Sequence, residues 1–330
     1  GHLRGVELHA VLPRRVGPSY PPGYVSRYCR AVDLDPHWLR DTVARALDED
    51  LGGTPGRDLT TEATVPADAT GTAHVVARAA GVVAGLPVVA EVLAQVGARL
   101  GLPAAVVEPA VPDGARVRPG DVLATVRGPV RTLLVGERTL LNLLSHASGV
   151  ATHTRRWADA LEGTGARVLD TRKTTPGLRA LDKYAVRCGG GTNKRMGLYD
   201  VAMVKDNHVL AAGGVAEAIA AVRAAFPDAP VQVEADTLEQ AMTAIDAGAR
   251  FLLLDNMPPA VLREVVAAVR AREPETGRVE LEATGGLTLD TAAAVAATGV
   301  DYLSVGALTH SSPALDVALD LLDPPTRIPG

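Results

Sequence analysis

In the second half of the 330-residue chain, charged residues and glycines recur directly after short apolar runs. In order they are Asp170-Thr171-Arg172-Lys173, Lys205-Asp206-Asn207-His208, Glu234, Asp255-Asn256, Glu282 followed by Thr284-Gly285-Gly286, and Gly306-Ala307. Their types follow chain order: cations first, then acids, then glycine turns. Arg172, Lys173, Lys205 and the nearby Arg195 suit the grip of carboxylates or phosphates, arginine as a two-pronged fork and lysine as a movable point charge. Glu234 and Asp255 suit sugar hydroxyls or a Mg²⁺ ion, which takes one or two carboxylates and fills its shell with substrate phosphate oxygens. The turns at Gly285-Gly286 and Gly306, each expected to open a helix, would aim backbone N–H groups at a phosphate. Together these groups describe an activated sugar phosphate being joined to an anionic partner, with carboxylates stabilising the positive charge that develops at the sugar carbon.

Each group closes an apolar run of strand length, at 167–169, 201–204, 231–233, 251–254, 279–281 and 302–305. Helical stretches are expected between them near 179–187, 215–225, 237–247, 259–271 and 288–297. Strands alternating with Ala-rich helices predict βα units and a parallel sheet, and six units predict a barrel short of eight. Such a barrel gathers chemistry at the carboxyl ends of its strands, so the six ends are expected to share one mouth. A charge just past a buried strand is costly unless paired or liganded. Taken singly, Glu234 and Asp255 read equally well as members of a structural ion pair.

The first half reads differently. An Asp-Pro start predicts a helix over 35–46, followed by a Gly-rich turn at 51–66, a strand within 74–84, a helix at 87–95 and a strand at 104–107. Alternating residues around Pro119-Gly120 predict a hairpin over 113–128. From 130 to 161 the pattern is helical, with Leu133, Leu140, Leu141 and Leu144 on one side and a break expected at Ser148-Gly149. This yields a poorly ordered tail over 1–34, an α/β domain over 35–145 and a barrel domain over 146–307, with 308–330 as a terminal segment.

Composition narrows the function. With 33 basic and 38 acidic residues the net charge is −5, and only ten aromatics are present, so neither a nucleic acid nor a membrane surface is the expected partner. Cys29 and Cys188 stand 159 positions apart without a CxxC or zinc spacing, and no basic-then-apolar leader opens the chain, which predicts a cytoplasmic protein. GxxxxGK[ST], HExxH and GxSxG are absent. Other residues invite plainer readings: Arg138 as a solvated helix residue, Gly189 to Gly191 as a helix cap and loop, Cys188 as a small buried side chain, and His146 and His153 as packing groups. Asp206 and His208 lack a third ligand nearby for a metal.

The stretches DLGGTPGRDLTTEATVP, GERTLLNLLSHASGVAT, DTRKTTPGLRALDKYAVRCGGGTNKRMGL, VKDNHV, VEADTLEQ, LLDN and DYLSVGALTHSSP resemble quinolinate phosphoribosyltransferases over roughly residues 35 to 322. The resemblance implies an N-terminal α/β sandwich domain packed on an incomplete, about six-stranded parallel α/β barrel, with 308–330 returning to the sandwich. It implies a homo-oligomer, at least a dimer, in which Arg138 of the ERT motif reaches the neighbouring subunit's site. Quinolinate would meet Arg138, Thr171, Arg172, Lys194, Arg195 and Lys205. 5-Phosphoribosyl 1-pyrophosphate would meet Lys173, Lys205, Glu234, Asp255, Thr284, Gly285, Gly286, Gly306 and His310. Lys173, Glu234 and Asp255 would be catalytic, and Glu234 and Asp255 would hold Mg²⁺ directly or through water. The implied reaction gives nicotinate mononucleotide, pyrophosphate and CO₂.

Three positions depart from the family pattern. Asn193-Lys194-Arg195 stands where Asn-His-Arg is usual, Ser145 to Gly149 where Gln-Arg-Leu-Ser-Gly is usual, and Glu-Ala-Thr-Gly-Gly at 282–286 where a serine often precedes the glycines. Lys194 raises the alternative of another pyridine or aromatic acid as acceptor. More distant alternatives are a Schiff-base lyase using Lys173 or Lys205 and a non-catalytic anion-binding protein.

Overall fold

The computed structural model describes residues 32–322 and the short strand at 326–327; the N-terminal tail and Cys29 lie outside the described residues. Helix α1 (Pro36–Leu51) starts where Asp35 Oδ1 accepts from the backbone N–H groups of His37 and Trp38, with Pro36 preset in the first turn. Leu39, Val43 and Leu47 recur every four residues and form its buried stripe. It runs past the expected end because nothing stops it before Gly52, which takes φ 74°. Then come α2 (Leu59–Thr64), β1 (Ala69–Ala77), β2 (Gly81–Val82), α3 (Leu86–Leu100), β3 (Val106–Pro109), β4 (Arg116–Val117) and β5 (Val122–Pro129).

The expected hairpin over 113–128 does not form. β4 pairs with β2, while β5 pairs antiparallel with β1 and β3. Gly120 N–H donates to Ala77 O, so the Pro119-Gly120 turn is tied to β1 and sends its two arms into different sheets. The antiparallel sheet runs β12-β1-β5-β3, and its edge strand β12 (Val317–Leu321) comes from the far end of the chain; β13 (Thr326–Arg327) also pairs with β1.

Helix α4 (Val130–Ala160) continues unbroken through Ser148-Gly149 for 31 residues. The glycine is a contact residue instead of a break: a Cβ there would sit 2.1 Å from Pro313 O. Ser148 Oγ, also buried, accepts from Ala84 N–H. α4 therefore runs from the first sheet to the second half of the molecule with backbone pressed against it. Gly149→Ala is expected to destabilise the fold by about 1–3 kcal/mol through overpacking, read as a lowered urea midpoint with an unchanged slope.

The second half follows the expected alternation: β6 (Arg167–Leu169), α5 (Arg179–Cys188), β7 (Ala202–Val204), α6 (Asp206–Ala212), α7 (Val215–Ala225), β8 (Val231–Ala235), α8 (Leu238–Asp246), β9 (Phe251–Asp255), α9 (Pro259–Thr276), β10 (Glu280–Thr284), α10 (Leu289–Ala296), β11 (Tyr302–Ser304) and α11 (Ala307–His310). The six strands form one parallel sheet in the order β6-β11-β10-β9-β8-β7. β6 and β7, neighbours in sequence, are its two edges, so the barrel is incomplete between them. Segment 189–200 fills that side, with a parallel bridge from Leu169 to Thr192. Gly189 and Gly191 are more than a helix cap: Cβ atoms there would meet Ala151 O at 2.4 Å and Thr154 Cγ2 at 2.7 Å, so the run lets this segment pass close to α4.

One apolar core joins both halves, while Leu169, Val201, Phe251, Leu253 and Tyr302 form a separate cluster inside the barrel. No single described helix is long and apolar enough to cross a membrane.

Candidate active site

Strand register decides which side chains share the barrel interior. Glu234 pairs with Leu253 and Leu253 with Glu282, so these positions face the same side as the interior cluster. One inward step further along, Asp255 pairs with Thr284. The carboxyl ends of β6 to β11 thus bring Thr171, Arg172, Lys173, Lys205, Glu234, Asp255, Thr284, Gly285, Gly286 and Gly306 to one rim, and Arg195 joins them from the segment that fills the gap.

The two sides of the rim differ in charge. Arg195 is half-buried, and burial together with the neighbouring Arg172 guanidinium pulls it below its ordinary value; its Nη1 donates to Val201 O at 2.9 Å. Among the described residues the Arg172 side chain has no ion-pair partner. Asp200 opposes that shift on the Arg195 side, and two close guanidiniums with only this one carboxylate near them make a cationic, anion-binding pocket. Opposite them, burial and the Glu234 charge push the Asp255 carboxyl above the usual range, with Lys205 opposing. Glu234 is itself held by the Lys205 ammonium. Because Asp255 takes up a proton more readily than an ordinary aspartate, binding that needs its carboxylate is expected to weaken as pH falls, beginning above the ordinary aspartate range. Asp255→Asn should remove that acidic limb and lower kcat/KM about 10²-fold, measured in a pH series of initial rates.

The third side is built from turns. Gly285 has φ 91°, and a Cβ there would sit 2.2 Å from Asn256 Oδ1, so only glycine lets these two turns interlock. Asn256 N–H donates to Thr284 O at 2.9 Å, fixing both turns relative to one another. At Gly306 a Cβ would lie 3.0 Å from Lys173 Cδ and 3.3 Å from His310 Nε2, so both side chains pack against this turn. The helix after Gly306 is a single turn, so the backbone there offers N–H groups without the dipole of a long helix.

Two further residues are not on the rim itself: Arg138, expected to serve a neighbouring subunit's site, and Lys194, which lies beneath the rim. Arg138 is exposed on the part of α4 whose neighbour Gly136 presses against Leu93 of α3, and among the described residues it has no ion-pair partner. Lys194, expected to face the acid, instead turns into the barrel. Its side chain is 7% exposed and its ammonium donates to Glu282 Oε1 at 2.6 Å. A cation at that depth requires a counter-charge, and Glu282 supplies it. Glu282 had drawn notice only as a strand end without a role. The available signal was the alternation Glu280, Glu282, Thr284 along β10, which puts two acids on the inward face.

Sequence reasoning also missed the frame behind the rim. Asp170, fully buried, accepts from Lys183 Nζ at 2.5 Å, from Asn193 Nδ2 at 2.8 Å and from Lys194 N–H at 2.8 Å. Asp182 accepts from Thr175 N–H and contacts His146 Nε2, anchoring the loop that carries Arg172 and Lys173. His153 contacts Ser312 Oγ. His208 Nδ1 accepts from Lys205 N–H at the start of α6. Burial and the Asp113 charge push the Cys188 thiol up to about 12, which disfavours a thiolate near neutral pH. A cleft of about 300 Å³ between Trp38, Arg179, Met196 and Tyr199 flanks the rim, but no rim residue lines it.

Residues 58–148 match the N-terminal domain model, and residues 150–320 the C-terminal domain model, of quinolinate phosphoribosyl transferase. The chain belongs to that family. A carboxylating nicotinate-nucleotide pyrophosphorylase from Mycobacterium leprae is 51% identical over 282 residues, covering 86% of this chain and 96% of that protein. Quinolinate phosphoribosyltransferase (decarboxylating) 2b, mitochondrial, from Nicotiana tabacum is 38% identical, covering 86% of this chain and 82% of its own. The solved nicotinate-nucleotide pyrophosphorylase from Francisella tularensis superposes with a TM-score of 0.81 at 32% identity, covering 89% of this chain and 99% of that one. This quinolinate phosphoribosyl transferase therefore has the expected sandwich and incomplete barrel.

Proposed function

We propose that the chain joins quinolinate to 5-phosphoribosyl 1-pyrophosphate, with loss of CO₂, to give nicotinate mononucleotide and pyrophosphate. The observation that carries this reading is the division of one rim into a close guanidinium pair, Arg172 and Arg195, and a carboxylate pair, Glu234 and Asp255. The guanidiniums take the pyridine dicarboxylate, and the carboxylates face the ribose as its C1′ gains positive charge. Lys173, His310 and the turns at Thr284 to Gly286 and Gly306 take phosphate oxygens. Once the ring nitrogen is alkylated, its positive charge stabilises the electron pair left at C2 when CO₂ departs.

Among the described residues no group of three or more His, Cys, Asp or Glu could hold a metal by itself. Glu234 and Asp255 fit Mg²⁺ in the other manner, as one or two carboxylates completing a shell of phosphate oxygens and water. When bound, the ion would neutralise the leaving pyrophosphate. Repulsion between the two carboxylates supports a cation there.

A dimer in which Arg138 completes the neighbour's acid pocket belongs to the same reading. It is supported by the unpaired, exposed Arg138 and by the apolar rim of the mouth, where Leu198, Tyr199 and Leu210 are 73%, 84% and 82% exposed. Helix α6, directly after Lys205, buries none of its residues in this chain. A cytoplasmic setting rests on the cysteine pattern alone. With both substrates and Mg²⁺, the purified chain should release CO₂ and form nicotinate mononucleotide; absence of both products would overturn the reading.

A further inference from the structure

The overall reaction consumes one proton, because the electron pair left at C2 when the C2–CO₂ bond breaks must form a C2–H bond. An sp² carbanion is far more basic than an amine, so any ammonium in contact with it can supply that proton. The rim narrows the choice. Arg172 and Arg195 cannot be deprotonated in a protein. Glu234 holds Lys205 on the ribose side, away from the acid's C2, and Lys173 lies against the Gly306 turn on the phosphate side.

We propose that Lys194, held by Glu282, is the proton donor to C2; this rests on the phosphoribosyl-transfer reading above. Quinolinate's C2 adjoins the ring nitrogen, which must face the ribose, and it also bears a carboxylate, which must face the arginines. C2 therefore lies between the two sides of the rim, over the barrel axis. Lys194 precedes Arg195, and its ammonium meets Glu282 one inward step below Thr284, so it forms the floor at that place. The salt bridge occupies one of its three N–H bonds. In the step, the Lys194 Nζ–H bond breaks, its proton forms the C2–H bond, and the nitrogen keeps the electron pair as a neutral amine.

The floor also has the means to restore the proton. Among the described residues Glu282 Oε2, both polar atoms of the Gln232 side chain and Ser304 Oγ have no hydrogen-bond partner, and these residues are 0%, 0% and 6% exposed. Gln232 lies two residues before Glu234, Glu282 two before Thr284 and Ser304 two after Tyr302, all on inward positions. Buried polar atoms without protein partners are ordinarily satisfied by water. A water-bearing floor at Glu282 would pass a proton back to the neutral lysine.

The test is turnover of the full chain with quinolinate, 5-phosphoribosyl 1-pyrophosphate and Mg²⁺ in equal parts H₂O and D₂O, reading the deuterium fraction at C2 of the nucleotide product. Lys194→Arg keeps the charge on Glu282 and the side-chain bulk but has no proton to give. Lys194→Arg is expected to bind quinolinate within a few-fold of wild type, to lose about 10²-fold or more in kcat, and to show a changed C2 deuterium fraction. Lys194→His should recover part of kcat with an altered pH profile. A merely structural lysine would leave the deuterium fraction unmoved. Wild-type kcat in Lys194→Arg, or an unchanged deuterium fraction, overturns the proposal, as does loss of quinolinate binding with kcat intact. If the wild-type chain itself releases no CO₂, the functional reading fails instead, and the two failures are distinguished.

Discussion

Arg138→Ala and Arg172→Ala should each abolish turnover, yet an equimolar mixture of the two refolded variants should recover about a quarter of wild-type activity. The arithmetic follows from a shared site. Random pairing gives half of the dimers one subunit of each kind; each such dimer has one site lacking both arginines and one lacking neither. Arg172 sits at the barrel rim beside Arg195, whereas Arg138 stands exposed on α4 without an ion-pair partner among the described residues. If Arg138 served only its own helix, Arg138→Ala would keep its activity. If it served its own subunit's site, mixing would recover nothing. Steady-state rates of the mixture, with each variant alone as control, separate these outcomes.

The second large effect concerns stability. Asp170→Ala should destabilise the fold by about 3–5 kcal/mol, because it leaves the Lys183 ammonium, 0% exposed, without its counter-charge. For a chain of this size that corresponds to a melting temperature lower by roughly 4 to 7 °C. Burial pushes the Asp170 carboxyl up, while Lys183, Lys194 N–H and Asn193 oppose it. The same carboxylate thus ties the end of β6 to the segment carrying Lys194 and Arg195. The double variant Asp170→Asn with Lys183→Met should regain most of the loss, since it removes both charges and keeps an acceptor for Lys194 N–H. Thermal melts of the two single variants and the double variant measure the coupling; additive losses would mean that the pair does not act as a unit.

The site was legible to different depths. Lys205, Glu234, Asp255 and Gly285 could be placed because each follows an apolar run of strand length, and a βα repeat gathers such ends by local geometry alone. Lys194 could not be placed. As a residue type it reads as one more cation for an acid, but its partner Glu282 is 88 positions away, and only strand register shows that the two meet. His208 was set aside for want of a third ligand in the sequence, and in the structure its Nδ1 accepts from Lys205 N–H.

The first half shows the same limit. Pro119-Gly120 marks a turn, and a turn is there, but which strands its arms join depends on Ala77 O and on β2, elements that turn chemistry cannot choose. Gly149 signals either a helix break or a close approach, and the chain approaching it is Pro313, more than 150 residues later.

By itself, then, the amino-acid order determined what is periodic or contiguous: the six βα units, the helix start at Asp35, and the order of cation, acid and glycine around a mouth. The tertiary structure alone decided which charges are free and which are spent. Among the described residues Arg172 has no ion-pair partner and Arg195 only the nearby Asp200 charge, while Lys183 and Lys194 are paired with Asp170 and Glu282. The physical reason is that the interaction of a buried charge depends on distance and desolvation, and both are set by strands that meet across the barrel rather than along the chain.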